Sequence, residues 1–184
     1  MRRFLQITFT ASFALAVLLL GLVALPSVAA DGDAPGTLEW RADSDRYQAH
    51  GRFDSWHFTE IDIPDGDLET GSVTFVVDLA SVWEKAEDLA NHLRQADFFN
   101  VAKFATSTVK IHGAEKQADG SFSATATIDL HGVTKDVLVT FRVVTEAPLK
   151  IEGEATLSRL AFGVGEAGSI SDEVRINLSA TVEK

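Results

Sequence analysis

Residues 121–144 read SFSATATIDLHGVTKDVLVTFRVV, two alternating segments joined by a turn at residues 131–135. One face carries Phe122, Ala124, Ala126, Ile128 and Leu130 in the first segment, and Val137, Val139, Phe141 and Val143 in the second. A period of two predicts an antiparallel β-hairpin with one apolar face and one solvated face. The central alanines are unusual, because a packed core favours larger branched side chains. The pattern favours a sheet that closes around space it does not fill by itself.

Strand-like segments separated by turn signals continue along the rest of the chain. They span residues 37–42, 47–58, 72–80, 104–112, 121–130, 136–145, 149–159 and 173–182. Many short strands with regular turns predict a β-sandwich or a β-barrel. Between residues 81 and 100 the spacing lengthens, and Leu89, Leu93 and Ala96 predict one short helix ending near residues 97–100. One helix covers too little of a sheet to form a layer, so we expect it to cap one end of a closed barrel.

The alternation also predicts which side chains line the interior. The predicted lining consists of Phe75, Val77, Phe122, Ala124, Ala126, Ile128, Val139, Phe141, Ala155, Leu157, Ile176 and Leu178. An eight-stranded barrel is either just filled by its own side chains or holds one small ligand. Small inward residues such as Ala126, Gly153 and Ala155 favour a cavity. Alternation of small and large residues in a tapering, filled core explains them equally well, and both interpretations stay open.

Four residues are candidates for the mouth of the barrel. Strand parity turns Arg159 inward at the end of its strand, where a charge is costly unless it is paired or lies at a wet opening. Arg159 is therefore either a cation for a polar or phosphate head group, or one half of an ion pair with Glu166 or Asp172. Phe98, Phe99 and Phe104 either form the rim or dock the helix onto the sheet.

The first thirty residues have the pattern of a secretory signal peptide. Arg2 and Arg3 precede an apolar run, which Pro26 ends before the small residues 27–30. The alternative is an uncleaved membrane anchor, since residues 4–25 are long enough to span a bilayer. With no cysteine in the chain, a lipoprotein and disulfides are excluded. We expect a periplasmic protein without stable membrane insertion after cleavage, with a flexible leader at 31–36 and one domain at 37–184.

The charge of the chain limits its partners. Loss of Arg2 and Arg3 leaves 14 of the 16 basic residues against 27 acidic ones, so the net charge goes from −11 to −13. A chain this acidic does not bind nucleic acid by neutralising phosphates, and it has no polybasic patch for anionic lipid. Any lipid must therefore be held by apolar contact.

Motifs for catalysis are missing from the sequence. The five histidines show no metal-ligand spacing, and there is no Gly-x-Ser-x-Gly motif and no cysteine nucleophile. We therefore expect a protein that is not an enzyme and that has no catalytic residues, no metal site and no cofactor.

Five sequence elements together resemble the YceI-like family. They are Gly51-Arg52-Phe53, LRQADFFNVAKF at 93–104, LHGVTK at 130–135, LSRLAFGVG at 157–165 and Asp172-Glu173-Val174. The chain departs from the family at Ala105, where proline is usual, and its first strand reads as shortened. The resemblance covers the chain from about residue 38 to its end.

The resemblance implies an extended, lipocalin-like antiparallel β-barrel of eight strands with one short helix near its opening. Members of the family are bacterial, largely periplasmic and often dimeric, and they bind isoprenoid lipids or quinones; some are linked to membrane b-type cytochromes. The leading hypothesis is accordingly a periplasmic carrier of an isoprenoid-type lipid or quinone. The alternative is a ligand-free interaction or stress-response module with a filled barrel, partnering such a cytochrome.

Overall fold

An antiparallel sheet of ten strands dominates the computed structural model, which describes residues 34–44, 48–168 and 170–183. The strands are β1 (Gly36–Ser44), β2 (Gln48–Phe53), β3 (Trp56–Asp62), β4 (Ser72–Asp78), β5 (Val82–Glu84), β6 (Thr106–Lys116), β7 (Phe122–Leu130), β8 (Val133–Glu146), β9 (Leu149–Ser158) and β10 (Ile170–Val182), with one α-helix, α1 (Glu87–Leu93). The predicted all-β fold with a short helix is confirmed. The predicted signal peptide at 1–30 lies outside the described residues.

A bend between β2 and β3 connects one edge of the sheet to the strand next to its other edge. The strand order is β3-β4-β6-β7-β8-β9-β10-β1-β2-β5, yet β2 and β3 are separated in sequence only by Asp54 and Ser55. Ser55 N donates to Ser81 Oγ at 3.0 Å, and Asp78 N donates to Ser55 O at 3.0 Å, which holds the bend. Strand β2 pairs with β1, and β3 pairs with β4. The sheet therefore curls round on itself.

Side chains from both ends of the sheet meet inside this curl. Leu38 of β1, Trp56 of β3, Phe75 of β4 and Ala180 of β10 form one buried cluster. The predicted eight strands become ten because the segment at 47–58 bends and extends to Asp62, and because β5 is an additional short strand.

The hairpin of β7 and β8 has the predicted faces but a tighter turn. Ala124 pairs with Val139, and Leu130 pairs with Val133, so only His131 and Gly132 form the turn. Both have positive φ, 56° and 76°, as in the two-residue turns that match strand twist. The inward residues of β7 are buried, as the alternation predicted.

Helix α1 covers one end of the curled sheet. Its buried Leu93 packs with Trp40, Ala49 and Val82. The helix ends at Leu93, earlier than predicted, because the chain then tightens into turns in which Phe99 N donates to Leu93 O at 3.0 Å. Within the described residues, no helix is both long and apolar enough to cross a membrane.

Candidate ligand-binding cavity

The curled sheet encloses a cavity of about 180 Å³ at the end covered by α1. Inward side chains of β9 and β10, such as Leu157 and Ile176, are only half-buried, although they point away from bulk solvent. Their outward neighbours, such as Thr156 and Asn177, are exposed. The inward residues keep accessible surface because they border empty space rather than other side chains. The interior at this end is therefore hollow.

A second, smaller chamber of about 60 Å³ lies towards the other end of the barrel. Ile63, Leu68 and Val182 contribute to its wall. Five residues line both chambers, and we call them the waist: Phe75, Ile111, Val139, Gly153 and Leu178. The interior is thus two apolar spaces with a shared wall between them.

Ten of the twelve predicted lining residues border one of these chambers. Phe75, Val77, Ala126, Ile128, Val139, Ala155, Leu157, Ile176 and Leu178 line the larger one, and Phe141 lines the smaller one. Phe122 and Ala124, which the alternation also assigned to the wall, line neither chamber. They pack with Ala114, and the Phe122 ring stacks on Phe141 with 5.1 Å between centroids, which fills that part of the interior.

Sequence reasoning missed the part of the wall that β1, β2 and α1 provide. Trp40, Ala49 and Phe53 line the larger chamber together with Leu89 and Leu93 of the helix. The period of two in residues 38–42 was the available signal for β1, since Leu38, Trp40 and Ala42 are all buried there.

Two of the three predicted rim phenylalanines lie at the cavity. Phe98 and Phe99 line the larger chamber, and Phe99 meets Phe53 edge-on with 5.8 Å between ring centroids. Phe104, the third predicted rim residue, does not line it. Its ring packs on the hairpin turn, 4.5 Å from the centroid of His131, and a Cβ atom on residue 132 would come within 2.9 Å of it.

Arg159 is the one charged residue among the buried side chains of the described ranges, with 6% of its surface exposed. Its Nε donates to Ser171 O at 2.9 Å and its Nη1 to Val164 O at 2.9 Å. Its Nη2 donates to Glu166 O at 2.9 Å and to Ile170 O at 3.0 Å. Neither predicted carboxylate partner forms a salt bridge with it in this part of the chain, because main-chain carbonyls surround the guanidinium instead. Arg159 thus fixes the segment that leads into β10 through these hydrogen bonds.

The same arginine separates the cavity from the outside. Arg159 and Ile170 line both the larger chamber and an outer groove of about 480 Å³ that also contains Asp43 and Asp172. The Asp172 carboxylate accepts hydrogen bonds from Leu160 N at 2.9 Å and Ser158 Oγ at 2.8 Å. These bonds, and to a smaller extent the charge of Arg159, lower the pKa of Asp172. The groove side of Arg159 is therefore acidic, and the cavity side is apolar.

Two glycines of the LSRLAFGVG element allow the chain to turn close to the Arg159 side chain. Gly163 ends a 3-10 turn at Leu160–Phe162 in the left-handed conformation, with φ at 70°. Gly165 also has φ at 70°, and a Cβ atom there would lie 2.7 Å from Arg159 Nη1. Only glycine fits so close to the guanidinium in that conformation.

Polar groups in the cavity wall are few, and one of them, the buried indole N–H of Trp40, has no hydrogen-bond partner within the described residues. The Ser107 hydroxyl donates to Asp129 O at 2.7 Å, and the Arg159 donors are directed at carbonyls. No cluster of three or more His, Asp or Glu residues that could hold a metal occurs in the described ranges. The wall can therefore hold a ligand mainly by apolar contact.

Comparisons with known proteins agree with this architecture. The sequence profile of the YceI-like domain matches residues 37–182. A UPF0312 protein of Azotobacter vinelandii is 31% identical over 119 residues, 60% of this chain and 62% of that protein. One from Pseudomonas fluorescens is 26% identical over 152 residues, 77% of this chain and 78% of that protein. The chain thus spans less than two thirds of the length of the Azotobacter relative.

Several solved structures share the fold. BcnA of Burkholderia cenocepacia superposes with a TM-score of 0.72 at 17% identity, covering 78% of this chain and 94% of its own. A polyisoprenoid binding domain from Saccharophagus degradans gives a TM-score of 0.56 at 18% identity, covering 80% and 92%. At these identities the structures establish the fold alone, whereas the profile match extends over most of the sequence. The chain is therefore a member of the YceI-like domain family.

Proposed function

We propose that this protein is a carrier that holds the apolar chain of an isoprenoid-type lipid or quinone inside its barrel. The hollow, apolar cavity of about 180 Å³ is the observation that supports this most directly. Each CH₂ group that the cavity removes from water contributes roughly 0.8 kcal/mol, so the enclosed part of an apolar chain binds with few polar contacts. The likeness to a polyisoprenoid binding domain from Saccharophagus degradans supports the same class of ligand.

The polar end of the ligand lies at the end of the cavity covered by α1. Arg159 is the cationic residue that borders the cavity there, and Phe98 and Phe99 flank the same chamber. The acidic residues Asp43 and Asp172 in the adjoining groove disfavour an anionic group that emerges past Arg159. A neutral head group, such as a quinone or an alcohol, suits this environment better than a phosphate.

The carrier works in the periplasm and binds its ligand without chemical change. The signal-peptide pattern of residues 1–30 supports export, and apolar side chains dominate the wall that a bound chain would contact. A homodimer and a membrane b-type cytochrome partner stay predictions from the family resemblance. The alternative of a ligand-free interaction module requires a filled barrel, and the cavity counts against it.

Extraction of the native protein tests the carrier function. The mature protein is purified from its own host without detergent, extracted with organic solvent and analysed by mass spectrometry. We expect a stoichiometric apolar lipid, and we expect the extracted protein to take up a polyprenyl probe from solution. Absence of lipid in the extract together with no uptake of the probe would refute the proposal.

A further inference from the structure

We infer that two arginines on the outside of the barrel, Arg41 and Arg175, form a binding site for a single phosphate group. Arg41 lies on β1 and Arg175 on β10, and the register of these strands places the two residues directly opposite each other. Both are exposed. The neighbours of Arg41 along β1, Trp40 and Ala42, are buried on the inner face, so the arginine pair lies on the outer face. The inference therefore stands independently of the proposed carrier function.

The arginine pair belongs to a row of three basic side chains. His50 of β2 is exposed and lies directly opposite Arg41 on the other side of β1. Like charges directly opposite each other in a sheet are destabilising. The chain has 27 acidic residues against 16 basic ones, so carboxylates are abundant and a shortage of them does not explain the row. A row of this kind is better explained by an anion that binds to it.

The two arginines also differ from the other described arginines in lacking a partner. Each of the others is engaged within the protein, with a carboxylate for Arg52 and Arg142 and with main-chain carbonyls for Arg94 and Arg159. In the part of the chain that the structure describes, no hydrogen bond or ion pair engages Arg41 or Arg175. Their N–H donors are therefore available to a bound anion.

Two guanidinium groups suit the shape of one phosphate group. Directly opposite residues of an antiparallel pair have Cβ atoms about 4.5–5.5 Å apart, so both side chains can reach the same anion. Each planar guanidinium can donate two parallel hydrogen bonds to phosphate oxygens, and such charge-assisted bonds are about twice as strong as neutral ones. The ring of His50 adds a possible N–H donor from the neighbouring strand. One phosphate group can thus receive donors from three strands.

The charges around the pair select a compact anion. Glu39 precedes Arg41 by two residues on the exposed face of β1, and Glu173 precedes Arg175 in the same way on β10. Asp43 of the outer groove follows Arg41 at the same spacing. These carboxylates would repel the successive phosphates of a nucleic acid backbone. A single phosphate group, either free in solution or in the head group of a phospholipid, meets less of this repulsion.

The test compares the arginine pair with a matched pair of lysines. Arg41→Gln/Arg175→Gln removes two positive charges from the site, and Lys110→Gln/Lys150→Gln removes two from exposed positions on β6 and β9. Inorganic phosphate is titrated into each full-length mature protein at constant ionic strength and followed by phosphorus NMR. Co-sedimentation with vesicles of phosphatidylglycerol, or of phosphate-free digalactosyl diacylglycerol, is the second measurement. The arginine variant should fold at least as well as wild type, because it loses the repulsion between the two guanidinium groups.

Wild type and the lysine variant should bind the phosphate group, and the arginine variant should bind it at least about tenfold more weakly. Binding of inorganic phosphate would support a site for free phosphate, whereas binding to phosphatidylglycerol vesicles alone would support a site for a lipid head group. Failure of wild type to bind either probe would overturn the inference. An equal loss in the two double variants would overturn it as well, since binding would then depend on net charge alone.

Discussion

The substitution Ala155→Phe tests whether the barrel is hollow in solution. Ala155 points inward on β9 and lines the larger chamber of about 180 Å³. A cavity of about 150 Å³ accommodates a benzene molecule, so a phenyl ring fits here without displacing the wall. Burial of a Phe side chain contributes about 1.5–3 kcal/mol, whereas overpacking a filled core costs about 1–3 kcal/mol. We therefore expect the lipid-free variant to be as stable as wild type or up to about 2 kcal/mol more stable.

The same ring occupies the space that a lipid tail needs. At a free probe concentration of 100 times the dissociation constant, ligand binding stabilises a protein by about 2.7 kcal/mol. Urea titrations with and without geranylgeraniol should show this increment for wild type and lose it for Ala155→Phe. Thr156→Phe, on the exposed outer face of the same strand, is the matched control and should keep it.

A different pair of results would contradict the hollow barrel. Ala155→Phe would then lose about 1–3 kcal/mol without lipid, as expected of an overpacked core. Wild type would at the same time gain nothing from the probe. That combination would favour the ligand-free module.

Three further changes probe the framework around the cavity. Gly51→Ala would place a Cβ atom 2.1 Å from the carbonyl oxygen of Trp83 and 2.7 Å from the Trp40 ring, so we expect urea titration to show a free energy of unfolding lower by about 3 kcal/mol. Gly168→Ala, with open space around it, is the control and should lower that free energy by less than about 1 kcal/mol. Equal losses in the two variants would contradict this reasoning. Arg159→Met removes the donors to four main-chain carbonyls. We expect the free energy of unfolding to fall by about 3 kcal/mol, which lowers the melting temperature by about 6–12 °C. A change below about 2 °C would show that water takes the place of the guanidinium. Asp172→Asn tests the lowered pKa of Asp172. The ionised carboxylate stabilises the fold above the unfolded-state pKa, and this stabilisation is lost as the pH falls through the lower folded-state pKa, so below about pH 4 the melting temperature of wild type should fall more steeply than that of the variant. Identical slopes of melting temperature against pH would contradict this expectation.

Strand alternation was a strong guide wherever one face is apolar and the other is solvated. It placed the inward residues of β7 correctly, because a shift by one residue would expose all of them. It could not place the bend between β2 and β3. That bend depends on hydrogen bonds between Ser55 and two residues distant in sequence: Ser81 Oγ accepts from Ser55 N, and Asp78 N donates to Ser55 O. Strand β5 is too short to show a period.

The sequence predicted which types of residue form the candidate site, but it did not predict the hydrogen-bond partners of those residues. Parity turned Arg159 inward, but its partners are main-chain carbonyls, which leave no trace in a sequence. In the sequence, the alanines of β7 were compatible with either a filled or a hollow interior. The three-dimensional packing shows a different environment for each alanine. Ala126 borders the cavity, whereas Ala124 two residues earlier is covered by Ala114 and Phe122.

Pairing of the first described strand with the last has a consequence for the order of assembly. Gly36 of β1 faces Ala180 of β10, so nearly the entire domain separates the two partners along the chain. Contacts of such long sequence separation form slowly, because the loop they close must first lose its conformational freedom. The wall of the larger chamber includes residues of both strands, such as Trp40 and Ile176. A partly folded chain therefore has no enclosed cavity, and we expect the proposed carrier to bind its ligand only after the last strand has docked.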